Sequence, residues 1–106
     1  MSNLEARLAE LAALHQTITY GALARDLNIP GPGAISKLTQ ALEILMETDA
    51  AVGHPLRAAL CAGRLAQGLP GVGFFEKAAS LGYDLGDNLA AFAQQHRDLL
   101  WMRAET

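Results

Sequence analysis

The sequence predicts a mainly α-helical domain with a small β element, in which a helix-turn-helix core is flanked by an N-terminal and a C-terminal helix. Three observations predict this class. Leucines recur at helical spacing in several segments. Clusters of proline and glycine separate these segments. The chain of 106 residues suits one domain with its own core, and no repeat or linker divides residues 1–106.

The first helix is predicted from about Asn3 to His15. Ser2 and Glu5 have the spacing of a capping box, in which each side chain accepts a hydrogen bond from a free backbone N–H. An apolar stripe at helical spacing then runs along the segment. It consists of Leu4, Leu8, Leu11 and Leu14.

A short extended segment and a short helix are predicted next. The β-branched residues around Ile18 favour extended backbone, and Thr19 can cap a helix from about Tyr20 to Leu27. Residues 28–33, Asn-Ile-Pro-Gly-Pro-Gly, form the strongest break in the chain. This stretch resembles a phosphate-binding loop only weakly, since its spacing is wrong, and a structural turn is expected.

The third helix is predicted from about Ala34 to Ala51. Its apolar face is expected to contain Ile35, Leu38, Leu42, Leu45 and Met46. Because a short helix, a tight turn and a longer helix follow one another, the sequence predicts a helix-turn-helix with the longer helix presented to a partner.

The remaining segments complete the prediction. Residues 54–62 indicate a strand, because leucine and alanine alternate with other residues, and residues 63–73 indicate a loop. A helix is predicted over residues 73–81 and ends at Gly82. Asp87 can cap a last helix that runs to about Ala104. Four apolar residues are expected on or near the inner face of this helix: Leu89, Phe92, Leu99 and Leu100.

The charge of the chain argues against tight nonspecific binding of nucleic acid. The formal net charge is −3, and the eight basic residues are spread singly, most of them with an acid nearby. A local basic face could still form in three dimensions. Composition therefore leaves nucleic-acid binding open without indicating it.

Cysteine and histidine usage predicts no metal site and no cofactor. Cys61 is the one cysteine, so no intrachain disulfide can form, and His15, His54 and His96 lie far apart in sequence. The N-terminal residues lack the pattern of a signal peptide, and no apolar run approaches the roughly 18 residues that span a bilayer. A cytoplasmic location without membrane contact is expected.

Several short motifs resemble the C-terminal domain of O6-alkylguanine-DNA alkyltransferases and of the alkyltransferase-like proteins. They lie between Ile18 and Gly82, about two thirds of the chain. The motifs are Thr19-Tyr20-Gly21-Ala22-Leu23-Ala24, Leu27-Asn28-Ile29-Pro30, His54-Pro55-Leu56-Arg57, Gly63-Arg64-Leu65 and Leu69-Pro70-Gly71. The resemblance implies a winged helix-turn-helix, with residues 63–73 as a wing-like loop, but the fold alone does not fix a function.

The reactive residues of that family have no counterparts here. Its methyl-accepting cysteine would fall at Pro55 or Leu56, and neither is a nucleophile. Its helix arginine would fall within residues 35–37, where no arginine occurs. Only Tyr20 and Arg57 match family residues of functional interest. The resemblance therefore implies binding without alkyl transfer.

No complete catalytic set of residues occurs in the sequence, so the chain is predicted not to be an enzyme. Cys61 lies among alanines and is expected to be a small buried residue, although Arg57 four residues earlier leaves a reactive thiol as the alternative. No carboxylate or hydroxyl near a histidine gives it a catalytic role. A noncatalytic binding domain is the prediction that remains.

Two kinds of binding fit the sequence. In a nucleic-acid-binding or regulatory domain, the predicted helix Ala34–Ala51 reads the partner, and six residues are expected to make contacts. These are Ser36, Lys37 and Gln40 on the helix, with Tyr20, Arg57 and Arg64 on phosphates. In a protein-interaction module, Trp101 marks a partner or homodimer surface, whereas Phe74 and Phe75 are expected in the core.

Overall fold

The computed structural model describes residues 3–63 and 67–105 and confirms the mainly α-helical class with a small β element. A 3₁₀ helix (Arg57–Leu60) lies between the third α-helix and the second strand. The α-helices in these ranges are α1 (Leu4–Ala13), α2 (Tyr20–Asp26), α3 (Ala34–Ala51), α4 (Val72–Ser80) and α5 (Leu89–Ala104), and the strands are β1 (Ile18–Thr19) and β2 (Cys61–Ala62).

Helix α1 buries its leucine stripe, as predicted, up to Leu11. Leu14 follows the last helical residue and is 60% exposed, so the prediction for this residue was wrong. Ser2 lies outside the described residues, and Asn3 occupies the N-cap without a side-chain hydrogen bond. The carboxylate of Glu5 accepts a hydrogen bond from the guanidinium of Arg57.

Helices α2 and α3 form around the break as predicted. The side chain of Thr19 caps α2 by accepting from the backbone N–H of Ala22 at 3.2 Å. Gly33 adopts a positive φ of 84°, a conformation that favours glycine, and α3 begins at the next residue. Leu38 and Leu42 are buried and hold α3 in the core.

The prediction that Ile35 lies on the buried face was wrong, because this side chain is 46% exposed. Helix α2 has only seven residues. It contacts α3, and Ile35 lines a surface cavity together with Tyr20. The exposed first turn of α3 is therefore partly apolar.

The predicted strand over residues 54–62 was wrong except for its last two residues. Residues 57–60 form the 3₁₀ helix and residues 54–56 are irregular. Leu56, Ala58, Ala59 and Leu60 are all buried, so their alternation does not separate two faces. Two backbone N–H groups of this segment, those of Leu56 and Arg57, donate to side chains instead of a neighbouring strand. The N–H of Arg57, for example, donates to Asp49 Oδ2 at 3.0 Å.

The small β element is a parallel pair. Ile18 pairs with Cys61 and Thr19 with Ala62. A wing is a hairpin of antiparallel strands, and no such hairpin occurs within residues 3–63 and 67–105. Because residues 64–66 lie outside the described parts of the chain, the wing stays a prediction.

Helix α4 carries both aromatic residues into the core, which confirms the prediction for Phe74 and Phe75. Their rings pack edge to face with centroids 5.2 Å apart. Gly82 follows α4 with a φ of 97°, so it ends this helix in the predicted left-handed conformation.

The cap and inner face of α5 differ from the prediction. Asn88, not Asp87, caps the helix by accepting from the N–H of Ala91 at 3.1 Å. Leu89 and Leu99 are 42% and 39% exposed, so their placement on the inner face was wrong. The inner face consists of Phe92, Ala93, His96, Arg97 and Leu100. It turns this way because His96 and Arg97 bind backbone groups of the segment around the 3₁₀ helix.

Helix α5 packs against both the 3₁₀ helix and α1, and so closes the core. None of the helices in the described parts of the chain is long and apolar enough to cross a bilayer.

Candidate nucleic-acid interface

The first turns of α3 present a polar surface. Ser36, Lys37 and Gln40 are all exposed, as predicted, while Leu38 and Leu42 on the same helix are buried. The side chains that could contact a partner therefore project from a helix whose opposite face is fixed in the core.

A cavity of about 550 Å³ lies beside this surface. It is lined by Thr19, Tyr20, Gly21, Arg25 and Ile35. The start of α2, one exposed cation and the first turn of α3 thus meet at one place, and Arg25 and Ile35 join the candidate interface although the sequence did not predict them there.

Acidic residues are sparse in the sequence around the starts of α2 and α3, although Glu43, further along α3, lines a small cavity together with Tyr20. Asp26 is the one acidic residue between Leu11 and Leu42, and its Oδ2 accepts from Arg7 Nε at 3.2 Å. Neither α2 nor α3 has an acidic residue in its first turn. The free N–H groups at both helix starts therefore add positive potential that no neighbouring acid in the sequence offsets.

Tyr20 connects the start of α2 to the loop before α4. Its hydroxyl accepts from the backbone N–H of Gly71 at 3.0 Å, and burial raises the pKa of the phenol. A Cβ placed on Gly71 would lie 3.5 Å from the tyrosine ring, so the loop approaches closely. A hydroxyl that accepts a hydrogen bond still carries its own hydrogen, and Tyr20 can donate to a phosphate.

The guanidinium of Arg57 is not brought to this surface. Its Nη2 donates to Asp49 Oδ1 at 2.7 Å, and its Nη1 donates to Glu5 Oε1 at 2.8 Å. It lines a different cavity from Tyr20. Of the two residues that match the alkyltransferases, only Tyr20 lies at the candidate interface. Arg64 lies outside the described residues.

Cys61 is poorly suited to nucleophilic chemistry. It is fully buried, and burial raises the pKa of its thiol to about 12, so that little thiolate forms at neutral pH. Across residues 3–63 and 67–105, no group of three or more His, Cys, Asp or Glu side chains is placed to hold a metal ion.

Comparison with protein-family models, curated proteins and solved structures gave no significant match. The resemblance to the alkyltransferases therefore stays a prediction drawn from the motifs.

Proposed function

We propose that this chain is a noncatalytic nucleic-acid-binding domain of helix-turn-helix type, with α3 as the reading helix. One observation carries the proposal: the exposed start of α3 offers Ser36, Lys37 and Gln40 beside Arg25, in a stretch with almost no acid. The alkyltransferase-like motifs support a winged form of the fold. The lone buried Cys61 is compatible with a reducing compartment, and the proposal places the domain in the cytoplasm.

Each side chain has a chemical role in this proposal. Gln40 and Ser36 can exchange hydrogen bonds with base edges, and Lys37 and Arg25 can contact phosphates. Tyr20 can donate to a phosphate from the start of α2. Because the chain as a whole carries a net charge of −3, we expect modest affinity that falls as salt rises.

Fluorescence anisotropy with a labelled DNA duplex tests the proposal. We expect binding at about 50 mM salt, and we expect Lys37→Gln and Arg25→Gln to weaken it and to reduce the salt slope by about one each. Arg103→Gln, which removes an equal charge from the end of α5, is the matched control and is expected to leave binding unchanged. Absence of binding at about 100 µM protein, or equal losses in all three variants, contradicts the proposal.

A protein-interaction module is the second candidate, and the surface around Trp101 favours it. Leu14 and Met102 are each 60% exposed, and the half-buried Trp101 ring stacks on His15 with centroids 5.5 Å apart. A homodimer through this surface would cover the apolar side chains.

Light scattering across a concentration series tests the second candidate. A homodimer predicts a mass that rises with concentration and a loss of association in Met102→Glu. Ile44→Glu, at another exposed apolar position, is the control that should still associate. A strict monomer at every concentration removes the homodimer.

A further inference from the structure

A second cavity, of about 380 Å³, opens between α1, the 3₁₀ helix and α5. Its volume lies within the range of small-molecule pockets. One leucine from each of the three elements forms its floor, and each is at most 5% exposed: Leu8, Leu60 and Leu100. Because these leucines are almost fully covered, the apolar surface that a molecule in this cavity can reach belongs mainly to the exposed residues Ala9, Ala13 and Ala104.

Small side chains keep the cavity open. Ala9, Ala12 and Ala13 line it from α1, and Ala104 lines it from α5. Because each of these side chains ends at Cβ, two helices that contact each other leave space at their surface. Longer apolar residues at the same positions would fill that space.

Arg57 forms the fixed polar wall of the cavity. Asp49 is only 1% exposed, and its carboxylate accepts three hydrogen bonds from Arg57. The donors are Nε of Arg57 at 3.0 Å, Nη2 at 2.7 Å and the backbone N–H. A guanidinium held at several points keeps its orientation and loses little conformational freedom on binding an anion.

The outward nitrogen of this guanidinium already holds a carboxylate. Nη1 of Arg57 donates to Glu5 Oε1 at 2.8 Å, and the Glu5 side chain is 67% exposed. Exposed ion pairs are weak, so Glu5 can be displaced at little cost. Its carboxylate shows which chemical group fits at the mouth of the cavity.

The remaining polar lining also favours an anion. His54 and Arg103 line the cavity with Arg57, and Glu5 is the one acidic side chain that lines it within the described residues. A molecule whose carboxylate displaces Glu5 would meet the guanidinium of Arg57, while its hydrocarbon part covers the alanines that line the cavity.

We propose that this cavity binds a small amphipathic monocarboxylate, with the carboxylate on Nη1 of Arg57 in place of Glu5 and the apolar part on the exposed methyl groups of Ala9, Ala13 and Ala104. This site does not depend on the proposed binding of nucleic acid.

Isothermal titration and thermal unfolding with octanoate test the proposal. We expect octanoate to bind with a dissociation constant at or below about 1 mM and to raise the melting temperature. Octanol and octylamine have the same chain without the carboxylate, and we expect neither to match octanoate. No octanoate binding at about 10 mM, or equal effects of the three compounds, overturns the proposal.

Two variants locate the site. Glu5→Gln removes the competing carboxylate and is expected to strengthen octanoate binding by about threefold, whereas Glu10→Gln, an equal change of charge at an exposed position of α1, is not. Ala9→Leu fills the cavity and is expected to weaken binding by about tenfold or more. Ala90→Leu, at an exposed position of α5 away from the cavity, is its control. Equal affinity in Ala9→Leu and Ala90→Leu, or no gain in Glu5→Gln, overturns the proposal.

Discussion

The segment from Arg57 to Ala62 is held at its two ends by two arginines in different surroundings. Arg57, at the start, donates to the carboxylates of Asp49 and Glu5. Arg97, from α5, donates to the carbonyl oxygen of Ala59 at 2.6 Å and to two further carbonyls, and no carboxylate partner occurs among the described residues.

The two guanidinium groups are shifted in opposite directions. The hydrogen bonds that Arg57 donates to Asp49 raise the pKa of Arg57, whereas burial lowers the pKa of Arg97. Arg57 therefore balances a buried charge, and Arg97 satisfies backbone acceptors of the chain that passes over it. The same residue type performs two tasks. Removal of Arg57 and removal of Arg97 should therefore lower the free energy of unfolding by different amounts.

Removal of Arg57 is expected to cost the most. Arg57→Met leaves the carboxylate of Asp49 buried without its cation, and we expect the free energy of unfolding to fall by about 3 kcal/mol or more. Urea denaturation measures this change. The double variant Asp49→Leu/Arg57→Met should recover most of the loss, and a double variant as unstable as Arg57→Met contradicts the assignment.

Removal of Arg97 is expected to cost less. Arg97→Met leaves carbonyl oxygens without donors but also removes a buried charge, so we expect a loss of about 1–3 kcal/mol in urea denaturation. Arg25→Met, at an exposed position, is the control and should change stability by less than about 0.5 kcal/mol. A cost for Arg97→Met that equals that of Arg57→Met would remove the distinction between the two arginines.

The neighbouring His96 adds a pH dependence to the same segment. Its Nδ1 accepts from the N–H of Leu56 at 3.0 Å, and burial lowers its pKa below 6.5. The unfolded chain therefore binds the proton more readily. The contribution of His96 to the free energy of unfolding is fully present above pH 6.5. It falls as the pH drops below that value, by at most about 1.4 kcal/mol per pH unit.

Urea denaturation at several values between about pH 5 and 7.5 measures the slope of the free energy of unfolding against pH. His96→Asn keeps an acceptor near the N–H of Leu56 and should flatten it. A slope that persists in His96→Asn assigns the pH dependence to another group.

The buried indole N–H of Trp101 is expected to affect the free energy of unfolding less than either arginine does. Its Nε1 is buried, and no acceptor within residues 3–63 and 67–105 reaches it. Trp101→Phe removes this unpaired donor together with some apolar contact, so we expect a change of less than about 0.5 kcal/mol in thermal unfolding. A larger loss would show that the indole contributes through packing on His15.

The bounds of α3 could be predicted because local chemistry sets them. Gly33 and Gly53 flank the helix with φ values of 84° and 70°, and apolar residues recur at helical spacing between them. The strand over residues 54–62 could not be predicted correctly. Its backbone partners, Asp49 and His96, are side chains supplied by other elements, and no local pattern indicates them.

Only some residues of the candidate interface could be predicted, because local patterns indicate some positions whereas tertiary packing determines others. Exposure of Lys37 follows from the helical period, whereas the position of Arg25 beside Ile35 depends on how two helices pack. One signal was present and overlooked: Asp49 continues the apolar spacing of Leu42 and Leu45, and a buried acid at such a position requires a cation.

Helix α5 supplies His96 and Arg97 to backbone groups that are synthesised about forty residues earlier. While the nascent chain leaves the ribosome, the N–H of Leu56 and the carbonyl of Ala59 must remain hydrated until α5 has emerged. The earlier helices can form during translation, but the segment around the 3₁₀ helix can reach its final conformation only when the last helix docks.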